Sequence, residues 1–386
     1  MCGIVGYIGQ KDAYDVVLKG LQRLEYRGYD SAGIALYDGN QLNICKTKGK
    51  VSDLNAKCIA DNVRKGKIGI GHTRWATHGE PNDVNSHPHV SNSGRLAIIH
   101  NGIIENYDAI KMILEIMRYT FHSDTDTVVL FNLIEEVMMS DDHKLGKAVQ
   151  IALNQAVGAY AIAVFDREKP NEIVVARLGS PLAIGVGDNE FFIASDASPF
   201  IEYTKSAIYL EDGEMGVIRL GREPRIRKIH NDKLIDPYIH ELKISLDQIE
   251  KSGYEHFMLK EIYEQPAVIG DTLNSFVNPS TGQITVPEKI LETIDKAPRL
   301  TLIACGTAYY ACLVAKYWFE QIVRIPCEID IASEFRYREA PMPNDGVSIF
   351  ISQSGETLDT LEALRYCKKQ NQTILSIVNT IESTIE

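Results

Sequence analysis

The last hundred residues alternate between strand-forming and helix-forming segments, and this alternation restricts the fold more than any other feature. Four apolar runs have the length of buried strands, at 300–305, 327–331, 347–352 and 373–378. Helical patterns separate them at 307–322, 333–338 and 356–369. Strands joined through helices run parallel in one sheet, so we predict a doubly wound α/β unit. The chain stops where the next helix should begin, so we expect this unit to be incomplete at its C-terminus.

The first 230 residues have a different pattern, in which short strands surround a few helices. Asp12 precedes a helical apolar pattern and can cap it, and Asp38-Gly39-Asn40 between two strand-like runs indicates a hairpin. Helical stretches at 104–117, 125–139 and 145–155 precede short strands up to residue 194. We predict a layered α+β domain over 1–240, a linker with a helical lead-in over 241–286, and the α/β unit over 287–386.

Composition excludes several classes of protein. Lys and Arg number 40 against 52 Asp and Glu, which gives a net charge of −12 and argues against a nucleic-acid partner. The seven cysteines contain no CxxC pair, so we expect neither disulfides nor a zinc site, and a reducing compartment. The uncharged apolar run at 300–315 is too short to cross a bilayer. We therefore expect a cytoplasmic protein without a membrane partner.

Cys2 is the most informative single residue. If Met1 is removed, Cys2 carries a thiol nucleophile and a free α-amine, whose reference pKa of ~7.7–8.0 suits a general base. Nucleophile and base in one residue are typical of N-terminal-nucleophile hydrolases. Position alone does not decide this, since a cysteine at position 2 can also be accidental.

Five ordered blocks decide between these readings. They are CGIVG at 2–6, LEYRGYDSAG at 24–33, GHTRWATHG at 71–79, HNGIIEN at 100–106 and SDTDT at 123–127. Together they resemble the class II glutamine amidotransferases over residues 2–230. This resemblance implies an αββα N-terminal-nucleophile fold and the hydrolysis of L-glutamine.

The resemblance also implies roles for individual residues. Cys2 is the nucleophile, and the Asn101 side-chain amide and the Gly102 N–H stabilise the oxyanion. Arg74 offers a planar fork for the glutamine carboxylate, and Asp126 offers a counter-charge for its ammonium. The remaining pocket residues are Trp75, Thr77, His78, Arg27 and His87. We expect no cofactor and no metal, because His87-Pro88-His89 alone is a poor ligand set.

Two loops in the α/β unit each follow a predicted strand and precede a predicted helix, at 304–309 and 352–357. Hydroxyls and N–H groups at helix N-termini can bind an anion, although Ser and Thr there can also simply cap the helix. The loops resemble the sugar isomerase (SIS) domain, which implies binding of a sugar phosphate. The implied ligands are Thr307, Ser352, Gln353, Ser354 and Thr357. Ala308 stands where the family usually has Ser.

A class II glutaminase followed by an SIS domain resembles the isomerizing glutamine–fructose-6-phosphate aminotransferases. That family uses L-glutamine and fructose 6-phosphate to make glucosamine 6-phosphate in hexosamine synthesis, and its members self-associate. It also has a second SIS domain with a Schiff-base lysine, which this sequence lacks, so we expect a homo-oligomer only at full length and only glutaminase activity here. Two alternatives stay open: another class II amidotransferase, or a non-catalytic SIS regulator that binds sugar phosphates.

Overall fold

The computed structural model describes residues 2–76, 79–140, 142–242, 252–278, 281–380 and 383–385, and the chain divides into two compact units at residues 253 and 254. In the first unit the helices are α1 (Ala13–Leu24), α2 (Val51–Ala60), α3 (Tyr107–Ile116), α4 (Asp126–Ser140) and α5 (Leu145–Leu153). Its strands are β1 (Gly3–Ile8), β2 (Ser31–Tyr37), β3 (Leu42–Lys48), β4 (Ile68–Arg74), β5 (His89–Val90), β6 (Leu96–Ile104), β7 (Gly158–Asp166), β8 (Glu172–Leu178), β9 (Ala183–Gly187), β10 (Glu190–Ala194), β11 (Ser206–Tyr209), β12 (Glu214–Arg219), β13 (Arg225–Lys228), β14 (Leu234–Ile235) and β15 (His240–Glu241).

These strands form two antiparallel sheets. Among the described residues, the first sheet has the order β15-β11-β9-β10-β1-β4-β2-β3 and the second the order β14-β13-β12-β8-β7-β6-β5. Strand β1 is buried at every position and lies inside its sheet, between β10 and β4. Strand β1 is therefore held by neighbouring strands on both sides.

Three apolar cores give the unit its four layers. Helices α1 and α2 pack on the outer face of the first sheet, and helices α3, α4 and α5 pack on the outer face of the second. Residues of both sheets, such as Ile4 and Ile193 from the first and Ile99 and Val175 from the second, meet in the core between them. Because strand side chains alternate between faces, each sheet can bury both faces at once. The predicted αββα arrangement is confirmed.

A helix cap and a hairpin turn that the sequence predicts are present in the structure. Asp12 caps α1 by accepting a hydrogen bond from the Tyr14 N–H at 3.2 Å. In the hairpin between β2 and β3, Asp38 Oδ1 accepts from the N–H groups of Asn40 and Gln41, each at 2.8 Å, while Gly39 adopts a φ of 99°. Short polar side chains that bond to nearby backbone groups favour such turns over continued strand.

The second unit is an α/β sheet preceded by two helices. Its elements are α6 (Phe257–Phe276), α7 (Glu288–Asp295), β16 (Leu300–Ala304), α8 (Gly306–Trp318), β17 (Cys327–Ile331), α9 (Ala332–Arg338), β18 (Val347–Ser352), α10 (Leu358–Lys369) and β19 (Thr373–Val378). The strands are parallel in the order β17-β16-β18-β19. This confirms the predicted parallel α/β fold. None of the helices in the described ranges has the length and apolar character of a transmembrane span.

Several predicted helix limits differ from the structure. The helix predicted over 104–117 begins at Tyr107, because Ile104 still pairs with Gly158 at the end of β6. The helix predicted over 307–322 is α-helical only to Trp318 and continues as a π-helical turn, Phe319–Val323. The helix predicted over 356–369 begins at Leu358, since the preceding loop bonds to itself. The limits 1–240, 241–286 and 287–386 stay predictions.

Candidate active site

Cys2 lies at the start of β1, beside the end of β4. Gly3 pairs with Thr73, so the residues that follow β4 run alongside Cys2. The Cys2 sulfur accepts a hydrogen bond from the Trp75 N–H at 3.1 Å. Burial raises the pKa of the Cys2 thiol, and the partial offset from the Trp75 N–H does not cancel this effect. A thiol with a raised pKa is protonated at neutral pH, so any attack by this sulfur requires a base next to it.

Asn101 extends from β6 in the second sheet to the start of β1 in the first. Its Nδ2 donates to the Cys2 carbonyl oxygen and to Ser195 Oγ, both at 3.2 Å. Its Oδ1 lies 2.7 Å from His72 Nε2. Because an amide oxygen can only accept, His72 carries its proton on Nε2. These contacts hold the Asn101 amide with its N–H groups toward Cys2.

A chain of buried histidines lies behind Asn101. Burial lowers the pKa of His72 to about 3, so its ring is neutral at neutral pH. His87 Nδ1 lies 3.3 Å from the His72 ring nitrogens, and His87 Nε2 lies 3.1 Å from Thr127 Oγ1. Burial also lowers the pKa of His87 well below its usual value. Thus His87 contacts the residue that holds Asn101, and not Asn101 itself.

Gly102 follows Asn101 at a position that admits no side chain. Its φ is 129°, and a Cβ there would lie 2.0 Å from the Ala159 carbonyl oxygen. An L-residue would both strain the backbone and collide with β7. A glycine here therefore lets β6 and β7 stay paired beside Asn101, which lies within β6.

The two charged residues predicted to bind the ends of glutamine are both nearly buried. Arg74, at the end of β4, is 3% exposed and donates to the carbonyl oxygens of Gly79 at 3.3 Å and Glu80 at 3.4 Å. Asp126, at the start of α4, is 4% exposed and accepts from the Ile104 N–H at 2.7 Å. Nearly buried charges are rare in proteins unless they have a function or a partner.

Trp75 and Arg27 occupy different environments. The Trp75 indole is 54% exposed, and its ring covers Gly28, where a Cβ would lie 3.0 Å from Trp75 Cε3. Arg27 binds Asp196 through Nε at 3.0 Å and Nη2 at 2.8 Å, and the Tyr26 hydroxyl donates to the same carboxylate at 2.7 Å. Burial acts to raise the pKa of Asp196, but the Arg27 charge and the hydrogen bonds from Ser198 and Tyr26 together outweigh it, and the pKa is lowered. The Arg27 guanidinium is thus engaged in an ion pair.

Thr77 and His78, which were predicted to line the same pocket, lie outside the described residues. Sequence reasoning missed two contacts of Asn101. It assigned His72 no part in the site, although its position inside the GHTRWATHG block was a usable signal. It did not identify Ser195, which follows β10 and also accepts from the Ile4 N–H at 2.9 Å. Across the described ranges, no group of His, Cys, Asp or Glu has the arrangement of a metal site.

In the second unit, the loop after β18 bonds to itself. Ser352 Oγ accepts from the Gly355 N–H at 3.0 Å and lies 3.3 Å from Thr357 Oγ1. Ser354 Oγ accepts from the Glu356 N–H at 3.2 Å. Thr357 is the residue before the first turn of α10. The loop therefore gathers three predicted hydroxyls at one helix N-terminus.

Thr307 and Gln353 lie at the same edge of the parallel sheet. Thr307 is in the first turn of α8, which follows β16, and Gln353 follows the neighbouring strand β18. Ala304 and Ile351 are aligned partners in these two strands, so both loops leave the sheet at its carboxyl edge. Both side chains are exposed. Ligands of open α/β sheets bind at this edge, which suits an anion held by hydroxyls and N–H groups.

Comparison with known proteins gives two domain matches. Residues 57–220 match the glutamine amidotransferase domain, and residues 293–386 match the SIS domain. The glutamine–fructose-6-phosphate aminotransferase [isomerizing] of Bacteroides thetaiotaomicron is 50% identical over 388 residues, which covers all of this chain and 63% of that protein. The enzyme of the same name from Chlorobaculum tepidum is 48% identical over 390 residues, with coverage of 100% and 63%. The chain thus spans less than two thirds of these relatives.

A solved structure supports the fold. The glutamine phosphoribosylpyrophosphate amidotransferase of B. subtilis, complexed with ADP and GMP, matches with a TM-score of 0.53 and 20% identity. The match covers 98% of this chain and 82% of that one. At this level of identity, the likeness concerns the fold alone.

Proposed function

Because this chain is homologous to the isomerizing glutamine–fructose-6-phosphate aminotransferases along its whole length, we propose that its first unit hydrolyses L-glutamine to glutamate and ammonia. One observation carries the proposal: the Asn101 amide of the second sheet lies 3.2 Å from the Cys2 carbonyl oxygen of the first. This contact joins the proposed nucleophile to a fixed hydrogen-bond donor, which is the pair of groups that amide hydrolysis needs.

Hydrolysis begins with the Cys2 thiol. Once Met1 is removed, the free α-amine of Cys2 takes the thiol proton, and the thiolate attacks the side-chain amide carbon of glutamine. The raised pKa of the thiol makes this internal base necessary. The oxyanion that forms accepts hydrogen bonds from Asn101 Nδ2 and the Gly102 N–H. As the intermediate collapses, the α-ammonium returns its proton to the leaving nitrogen, ammonia departs, and a thioester remains.

The thioester is then hydrolysed. The α-amine takes a proton from water, and the resulting hydroxide adds to the thioester carbon while the same donors hold the oxyanion. The C–S bond breaks, glutamate leaves, and the α-ammonium returns its proton to the sulfur. The cycle consumes one water and requires no cofactor.

Recognition of glutamine falls to the charged residues near the nucleophile. Arg74 is proposed to bind the α-carboxylate and Asp126 the α-ammonium, and their near-complete burial strengthens such interactions. The rest of the proposed pocket consists of Trp75, Thr77, His78, Arg27 and His87. Arg27 already pairs with Asp196, and His87 bonds to Thr127. We therefore propose that Arg27 and His87 hold the pocket residues in position and do not bind glutamine directly.

The second unit is proposed to bind fructose 6-phosphate. The sugar phosphate would accept hydrogen bonds at the carboxyl edge of the parallel sheet. The proposed donors are Thr307, Ser352, Gln353, Ser354 and Thr357. In the complete enzyme, ammonia from glutamine would be added to the sugar to give glucosamine 6-phosphate. We propose on family grounds that the full-length enzyme is a homo-oligomer, and on grounds of composition that it is cytoplasmic.

Release of glutamate from glutamine by the purified chain tests the glutaminase proposal. Cys2→Ala should abolish the release while the thermal unfolding temperature changes little, because Cys2 itself is only partly buried. Cys45→Ala is the matched control, since it also removes a cysteine thiol, from a buried position on β3. Activity in Cys2→Ala, or an equal loss in Cys45→Ala, would contradict the mechanism.

A further inference from the structure

The outer face of the second sheet carries a row of arginines on two neighbouring strands. Ile218 of β12 and Ile226 of β13 lie in the core between the sheets. Because adjacent strand residues point to opposite faces, Arg219, Arg225 and Arg227 project from the other face. This is the face on which α5 packs, and the arginines lie beside the first turn of that helix.

These arginines line a cavity of about 220 Å³ together with Lys144 and Lys147 from the start of α5. Asp232 also lines it. The cavity thus has five basic side chains and one acidic side chain, in a chain whose net charge is −12. The cavity is therefore positively charged although the chain as a whole has a negative net charge.

Part of this charge is compensated within the protein. Arg227 pairs with Asp232 at 2.9 Å, and Arg219 pairs with Glu172. In the ranges that the structure describes, neither Arg225 nor Lys144 has a carboxylate partner. Lys147 Nζ donates to the neutral Gln150 Oε1 at 2.7 Å. Three positive charges around the cavity therefore lack a negative counterpart among the described residues.

The start of α5 adds backbone donors to the same cavity. Gly146, in the first turn, lines it, and the first N–H groups of a helix have no intrahelical acceptor. A Cβ at Gly146 would lie 2.9 Å from Val217 Cγ2, so the missing side chain lets the helix start approach β12 closely. The backbone N–H groups, the arginines and the lysines thus line one small cavity.

We propose that this cavity binds a small phosphate-bearing anion, such as pyrophosphate or a short phosphate ester. Guanidinium groups match phosphate oxygens in pairs, and helix N-termini favour negative charge. The volume of about 220 Å³ lies below the ~300–1,000 Å³ of pockets for drug-sized ligands, so the ligand is small. The site is separate from the residues proposed to bind glutamine.

Calorimetric titration of the purified chain with pyrophosphate tests this site. The double variant Arg225→Gln with Lys144→Gln should weaken pyrophosphate binding at least ~10-fold. The control Arg222→Gln with Lys233→Gln removes the same charge from exposed residues that do not line the cavity, and its affinity should stay within ~2-fold of the parent chain. All four residues are exposed, so circular dichroism should show unchanged folding. No saturable binding by the parent chain, or equal weakening in both double variants, would overturn the proposal.

Discussion

Replacing His72 with phenylalanine is expected to slow glutamine hydrolysis without weakening glutamine binding. The fully buried His72 ring donates to Asn101 Oδ1 over 2.7 Å, and its low pKa keeps it neutral. A phenyl ring has a similar shape but no N–H group. In His72→Phe, the Asn101 amide keeps its contacts to Cys2 and Ser195 but loses the group that fixes its oxygen.

The structure sets the size of this effect. A buried acceptor left without its donor costs ~1–3 kcal/mol. If the whole cost falls on the transition state, kcat decreases ~5–150-fold, because each ~1.4 kcal/mol corresponds to a factor of ten. Asn101→Ala, which removes the proposed oxyanion donor itself, should lower kcat further, by ~10²–10³-fold. KM should change little in both variants, because neither residue is proposed to contact the charged ends of glutamine.

Steady-state measurement of glutamate release separates kcat from KM. His89→Phe is the matched control: His89 is also buried, and its Nε2 bonds to Thr125 Oγ1 at 3.1 Å, away from the Asn101 side chain. Both variants lose hydrogen bonds of a buried histidine ring, so a general loss of stability would appear in both. An unchanged kcat in His72→Phe, a rise in KM alone, or an equal fall of kcat in His89→Phe would refute the positioning role of His72.

Three further predictions concern the same unit. Chain that retains Met1 should be inactive, because the α-amine of Cys2 is then in a peptide bond, and mass spectrometry of active protein should show Met1 removed. Arg74→Ala and Asp126→Ala should raise the glutamine KM more than they lower kcat, which initial rates over a range of glutamine concentrations will show. Acid should destabilise the fold: burial lowers the pKa of His72 to about 3 in the folded state, so below pH ~6.5 the unfolded state takes up a proton that the folded state does not. The free energy of unfolding should fall by ~1–2 kcal/mol for this group between pH 6.5 and 5, and urea titrations of the parent chain and His72→Phe should show the smaller decrease in the variant.

Elements specified by local pattern could be predicted from the sequence. Thr373–Val378 and Cys327–Ile331 have the predicted limits, because an apolar run between turn formers favours a strand regardless of its partner. Ile104 was predicted as helix and is strand, because its state depends on pairing with Gly158 across the second sheet. The position of β1 inside the first sheet likewise depends on strands far away in sequence.

The sequence by itself predicts the chemistry of the candidate site, because Cys2, Asn101 and Arg74 stand in short blocks whose residue types and order can be recognised without coordinates. Only the tertiary structure decided which of these groups meet. Asn101 reaches Cys2 because the two sheets pack face to face, and His72 and Ser195 join it from separate strands and loops. The physical reason is the sequence separation over which each interaction acts. Turn chemistry and apolar periodicity act over a few residues, whereas hydrogen bonds between distant segments exist only after the core between the sheets has formed.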